Sequence, residues 1–189
     1  SGDADILLHD DGVLTQEQKE GMYRDIHDDA RWLVTLVENL LSITRIDNGT
    51  MQIAQQPELV SEVVHEALLH VDRRASARRV DVLIEDDLLM AVMDARLIVQ
   101  VIINLVNNAV SYTPVEGRIT VSAREERLGG GGSRVRIAVA DEGPGISEED
   151  REHIFDLFYN GSTGKPSGKS GDFKRGMGLG LSLCRSIVE

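Results

Sequence analysis

What this chain lacks narrows it first. It has a single cysteine, Cys184, so no intramolecular disulfide can form and the fold must rest on packing. Aromatic residues make up only 4% of its 189 residues, which leaves an aliphatic core. Basic residues are outnumbered, with 20 Lys and Arg against 32 Asp and Glu and a net charge of −12. A surface of that sign excludes a nucleic-acid backbone as the main partner, because phosphate chains need basic faces. One small phosphorylated ligand stays within reach, since a few local donors can hold it. No apolar run approaches the length of a membrane span, and no secretory signal is visible, so no membrane contact by this piece is expected. Internal repeats are absent too.

What is present reads as a globular chain, 41% hydrophobic and 28% charged. Residues Asp3 to Leu8 have the look of the last turns of a helix whose beginning is missing. Thr15, with Gln18 three residues on, forms a capping-box signature. A long helix follows to about Ile46. Its Met22, Ile26, Ala30, Leu33, Leu36, Val37, Leu40 and Ile43 recur at spacings of three and four, one stripe wanting a partner helix. "DNG" at 47–49 ends it. Beyond this point the pattern predicts a strand at "MQIA", then a helix over "PELVSEVVHEALLHV" with Pro57 in its first turn. Two strands, "RVDVLIE" and "LLMAVMD", join through Asp86–Asp87. The strongly apolar helix "ARLIVQVIINLVNNAVSY" comes next, then strands "RITVSAREERL" and "SRVRIAVAD" around a "GGGG" hairpin loop. A helix over "SEEDREHIF", a Gly-, Ser- and Lys-rich loop over Tyr159–Arg175 and a last helix from about Gly178 complete the chain. Cys184, in "LSLCRSIV", reads as a buried thiol on that helix.

Three features carry chemistry. Asn104 and Asn108 lie four apart, so their amides share one face of an otherwise aliphatic helix. Such amides must be paired or face a cavity, and capping or core hydrogen bonding explains them as readily as a ligand does. Second, "ADEGPGI" ends a strand on a carboxylate, Asp141. Gly143 and Gly145 then let the backbone approach a flat ligand, although an ordinary turn uses the same residues. Third, "RGMGLGL" alternates Gly176, Gly178 and Gly180 into a helix start, where bare N–H groups favour an anion. The upstream "TGKPSGKS" resembles a P-loop but has Thr163 where Gly is required and no strand before it, and is set aside.

Together, in this order, these pieces resemble the ATP-binding domain of sensor histidine kinases. That domain belongs to a superfamily shared with the Hsp90 chaperone, type II topoisomerases and the MutL repair protein. "NLVNNAVSYTP" is similar to the N box, "DEGPGI" to the G1 box, "IFDLFY" to the F box and "GMGLGL" to the G2 box. The resemblance runs from about Thr15 to Glu189. "DDLLMAVMDARLIVQVIINLVNNAVSYTP" and "LCRSIVE" are most similar to KdpD-type potassium-responsive sensor kinases. The resemblance implies an α+β fold, a two-layer α/β sandwich of the Bergerat type, preceded by a partial helical dimerisation hairpin. It divides the chain into a hairpin remnant, 1–48, and a catalytic ATP-binding domain, 49–189, truncated before the family's closing strands. It implies ATP or ADP with Mg2+ as ligands. Asp141 would accept from the adenine amine, with Gly143, Gly145 and Tyr112 lining the base. Asn108 would be the magnesium ligand and Asn104 would lie beside the phosphates. Gly176, Gly178 and Gly180 would offer N–H groups to the phosphate chain. The loop Tyr159–Arg175 would be a lid, with Lys165, Lys169, Lys174 and Arg175 as candidates for the γ-phosphate or as solvated loop residues. One departure is Ser111, which stands where the family has a lysine.

The family phosphorylates a histidine in H-D/E-x-x-x-P. His27 and His65 precede acids but have Trp32 and His70 where the proline belongs, and His9, His70 and His153 fit no better. The resemblance therefore implies an acceptor histidine upstream, and a piece that binds ATP without phosphorylating itself. It also implies a homodimer through the helical hairpin, a response-regulator receiver domain as partner, and a cytoplasmic place below an inner-membrane sensor. The alternatives are an ATPase of the same superfamily, an anti-sigma serine kinase, or a degenerate nucleotide-binding signalling module. The ATPases carry a catalytic Glu where this chain has Asn104, which speaks against water activation.

Overall fold

The computed structural model describes residues 2–9, 12–47, 52–71, 79–159 and 178–189. The chain divides into two compact units, Ser1–Thr44 and Arg45–Glu189.

In the first unit, a short helix α1 (Gly2–Leu8) precedes the long α2 (Gln16–Asp47), whose last residues run into the second unit. The capping box at its start is complete. Thr15 N–H donates to Gln18 Oε1 at 2.9 Å, and Gln18 N–H donates to Thr15 Oγ1 at 3.2 Å. Along α2, Leu33, Val37 and Leu40 of the apolar stripe stay exposed, as do the neighbouring Val34 and Leu41.

The second unit begins differently from its sequence pattern. Residues 52–55 are not a strand, and Pro57 does not open a helix. Instead β1 (Gln56–Leu59) pairs antiparallel with β3 (Met90–Met93), Pro57 lying opposite Val92. A two-stranded ribbon has only edges, so a proline without an N–H fits there. Helix α3 (Val60–Leu69) follows at once, and Val60 N–H donates to the Leu89 carbonyl at 3.0 Å. Strand β2 (Arg79–Ile84) runs through Asp86–Asp87 to β3, but the two strands belong to different sheets. The larger sheet has the order β2-β4-β5, with β4 (Arg118–Arg127) parallel to β2 and antiparallel to β5 (Ser133–Asp141).

Between the strands runs α4 (Ala95–Tyr112), as the hydrophobic pattern predicts. Its start is fixed by Asp94, which is buried. One carboxylate oxygen accepts from Arg96 N–H at 3.2 Å and the other from Ala54 N–H at 3.0 Å. The Arg96 guanidinium closes on the same group and holds the Asp94 carboxyl below the usual carboxylate range. Helix α5 (Glu148–Arg151) is one turn, shorter than "SEEDREHIF" suggests, because the chain goes over into turns through residues 152–155. The last helix is α6 (Gly180–Val188).

The core is aliphatic. Val60, Val63, Val64 and Ala67 of α3 and Ile102, Val106, Ala109 and Val110 of α4 pack with Ile119, Val121 and Ala123 of β4. Strand alternation turns these β4 residues to the helices and Thr120, Ser122 and Arg124 to the other face. Leu183 of α6 and Leu179 just before it are both fully buried, and α6 lies against α4. The result is a helical layer on one face of a sheet. Among the described residues no helix is long and apolar enough to cross a membrane.

Candidate functional site

The site is organised by one side of α4. Asn104, Asn108 and Tyr112 recur every fourth residue, so they form a line along the helix, with a rise of about 6 Å per step. The neighbouring stripe of Ile102, Val106, Ala109 and Val110 faces the core. The line is thus held in place by the burial of its neighbours. Asn104 and Asn108 are half-buried and Tyr112 is exposed.

At the Tyr112 end stands Asp141, the last residue of β5, paired with Ile119 and exposed. Its Oδ1 accepts from Gly143 N–H at 2.8 Å, and its Oδ2 has no protein partner among the described residues. Gly143 is wedged in place. A Cβ there would come within 2.6 Å of Asp141 Oδ1 and 3.2 Å of the Tyr112 carbonyl oxygen. Gly145 takes φ 75°, a left-handed backbone that favours glycine. The neighbouring Glu142 ties the loop to β4, since its N–H donates to the Arg118 carbonyl at 3.2 Å and its carboxylate accepts from Arg118 N–H at 3.1 Å. The structure therefore brings Tyr112, Asp141 and Gly143 together.

At the other end, α6 begins against Asn104. A Cβ on Gly180 would lie 3.7 Å from the Asn104 side chain, in ordinary contact. No side chain caps the start of α6, so its first N–H groups keep the character of an anion site. Asn104 Nδ2 is buried and has no oxygen or nitrogen acceptor among the described residues; the Cys184 sulfur beside it is a weak acceptor. An orphaned buried donor is costly, about 1–3 kcal/mol, unless a ligand satisfies it. One turn into α6, the Cys184 thiol donates to the Val101 carbonyl at 3.7 Å. Burial pushes this thiol up to about 11, outweighing the Asn104 amide, which would favour the thiolate. The expectation of a buried thiol on the last helix holds.

Gly178 marks the approach to α6. Its φ is 62°, and a Cβ would meet the Phe158 carbonyl carbon and Tyr159 backbone atoms at 2.5 Å. Phe158 itself has φ 64°, the one non-glycine residue in that region among those described, and such a conformation costs on the order of 1–3 kcal/mol. Three hydrogen bonds hold it. Phe158 N–H donates to the Gly178 carbonyl at 3.0 Å, Tyr159 N–H to the Asp156 carbonyl at 3.3 Å, and the Tyr159 hydroxyl to Asp150 Oδ1 at 2.7 Å. Asp150 is buried, and its carboxylate raises the Tyr159 hydroxyl above its ordinary range. The Asp150–Tyr159 pair carries no sequence signal, because nine residues of mostly irregular chain separate its members.

Ser111 turns its hydroxyl back to the Asn107 carbonyl at 2.8 Å. Lys165, Lys169, Lys174, Arg175 and Gly176, with almost all of the loop they belong to, lie outside the described residues. No group of three or more His, Cys, Asp or Glu that could hold a metal occurs among the described residues. The donor set near α4 is amide oxygen, which fits a magnesium ion that takes most of its ligands from phosphates and water. The orphaned Asn104 amide and the uncapped α6 fit the phosphates themselves.

Comparison with known proteins agrees with this geometry. The profile of the family described as histidine kinase-, DNA gyrase B-, and HSP90-like ATPase matches residues 93–189. The sensor protein KdpD of Clostridium acetobutylicum is 38% identical over the whole of this chain, which covers 20% of that relative. The adaptive-response sensory kinase SasA of Gloeothece citriformis is 32% identical over 90% of this chain and 41% of its own. The chain thus spans between a fifth and two-fifths of these relatives. The Acinetobacter baumannii histidine kinase AdeS shares the fold, with a TM-score of 0.71, 23% identity, and coverage of 99% of this chain and 80% of that one. The chain belongs to the family of histidine kinase-, DNA gyrase B- and HSP90-like ATPases, in its sensor histidine kinase form.

Proposed function

We propose that the second unit binds ATP with magnesium and presents the γ-phosphate to a histidine, from which a response-regulator receiver aspartate takes it. The observation that carries this reading is the order of groups along α4. Tyr112 stands with Asp141 and Gly143, a flat and hydrogen-bonding environment suited to a base. Asn104 stands with Gly180 and the start of α6, an environment suited to phosphates. Asn108 lies between them, where an amide oxygen would meet a magnesium ion. When bound, that ion neutralises charge on the phosphates.

In this reading Asp141 Oδ2 accepts from the adenine amine, while Gly143 N–H holds Oδ1. Asn104 donates its orphaned N–H to a phosphate oxygen. Gly178 and Gly180 keep side chains away from the phosphate chain, Gly176 extends the same role, and Lys174 and Arg175 are candidate cations for the γ-phosphate. Transfer then depends on positioning and charge rather than on a base in this chain. None of the five histidines stands in the acceptor motif, so the histidine is assigned to another part of the kinase. Asn104 gives an amide where water activation would need a carboxylate, which favours the kinase over a hydrolytic ATPase. The exposed Leu33, Val34, Val37, Leu40 and Leu41 of α2 support pairing with a second copy. A cytoplasmic place beneath an inner-membrane sensor belongs to the same proposal.

Calorimetric titration with Mg-ADP tests it, on the parent chain and on Asp141→Asn. The parent is expected to bind and the variant to lose about ten- to a hundredfold in affinity, as for a hydrogen bond to a charged group. A folded parent that does not bind Mg-ADP overturns the reading.

A further inference from the structure

We propose that Asp150 and Tyr159 form a positioning pair that fixes the start of α6, and through it the phosphate end of the site. The inference rests on the nucleotide reading above and adds residues outside the contacts proposed there. The chain of contacts is continuous. Asp150 is buried on α5, its N–H capped by Ser147 Oγ at 3.0 Å, so its carboxylate is a fixed acceptor. Tyr159 reaches it at 2.7 Å. Tyr159 follows Phe158, whose left-handed backbone needs outside support. Phe158 N–H in turn holds the Gly178 carbonyl at 3.0 Å, and Gly178 leaves no room for a Cβ against Tyr159. Two residues later Gly180 rests on Asn104.

Released from Asp150, Tyr159 would keep its N–H bond to the Asp156 carbonyl, but Phe158 would lose part of the support for its strained conformation. Gly178 would lose its fixed partner, and the α6 N–H groups would lose their aim. The adenine end would not feel this, because Asp141, Gly143 and Tyr112 are held by contacts of their own.

The test uses Tyr159→Phe, which removes one hydroxyl, and Asp150→Asn, which keeps an acceptor but weakens a charge-assisted bond to a neutral one. Calorimetry with Mg-ADP and with adenosine reads the two ends separately. Tyr159→Phe is expected to weaken Mg-ADP about tenfold and adenosine less than about twofold, with Asp150→Asn between parent and Tyr159→Phe. Amide hydrogen exchange without nucleotide is expected to quicken at 179–183 in both variants while the β4 and β5 amides keep the parent rates. Unchanged Mg-ADP affinity in Tyr159→Phe overturns the proposal. So does an equal loss for both ligands, which is what a merely structural role would give. If Tyr159→Phe fails to fold, Asp150→Asn carries the test by the same exchange readout, and unchanged exchange overturns it. A parent that binds neither ligand sinks the nucleotide reading, while the exchange arm still decides whether the pair fixes α6.

Discussion

The two ends of α4 are built in different ways. The Asp141 end is local: its key hydrogen bond joins residues two apart, and its wedge glycine sits in the same turn. The Asn104 end is assembled across the chain, with α6 brought onto α4 and Cys184 bonded to Val101, 83 residues away. A local site survives small changes elsewhere and fails when its own turn is altered. An assembled site is sensitive to every element that delivers a piece of it. This difference also explains where strain sits. The left-handed Phe158 and the crowded Gly178 are both on the approach to α6.

Gly178→Ala should have the largest effect. Its Cβ would meet backbone atoms at 2.5 Å in a backbone that already disfavours a side chain. A loss of roughly 2–4 kcal/mol in stability is expected by urea unfolding, with Mg-ADP affinity falling below detection. Gly143→Ala comes next and breaks the other end. Displacing the Asp141 carboxylate should weaken adenosine and Mg-ADP equally, by about tenfold. If Gly143→Ala spares adenosine, the base does not sit at Asp141.

Asn104→Leu separates stability from binding. Removing an orphaned buried amide should raise unfolding stability by about 1 kcal/mol. Mg-ADP affinity should fall about tenfold by the same argument, with adenosine almost unchanged. A variant that loses stability and keeps its affinity would show that Asn104 serves the core instead.

The same contrast governs what can be read from the sequence. The capping box at Thr15, the bounds of α4, the buried Cys184 and the turn after Asp141 all follow from residues close together in the chain. Pro57 escapes a local reading because the pairing of β1 with β3 is a tertiary choice between segments more than thirty residues apart. The helix over "SEEDREHIF" stops early at Arg151, where the chain begins to turn toward Tyr159. The Asp150–Tyr159 pair and the Phe158 conformation leave no local pattern to read. Asp94 is legible only as the end of a strand; its second role, holding Ala54, depends on a segment forty residues back.

Asp94→Asn offers the smallest effect and a control for the comparison, because Asp94 supports the start of α4 and touches neither end of the site. Its folded carboxyl is held below the ordinary value, chiefly by the Arg96 guanidinium and also by the Ala54 and Arg96 N–H groups. A depressed carboxyl contributes stability that is present above its unfolded value and is lost as pH falls through the folded one. The parent should therefore lose stability as pH drops below about 4, the ordinary range for Asp. Asp94→Asn should be less stable at pH 7 by about 1 kcal/mol, as for a weakened helix cap, and should show a shallower acid loss. Thermal melts from pH 7 to pH 3 measure both. The ratio of adenosine to Mg-ADP affinity should match the parent at pH 7, since α4 carries both ends of the site together. A change in that ratio would mean that the start of α4 acts on one end alone.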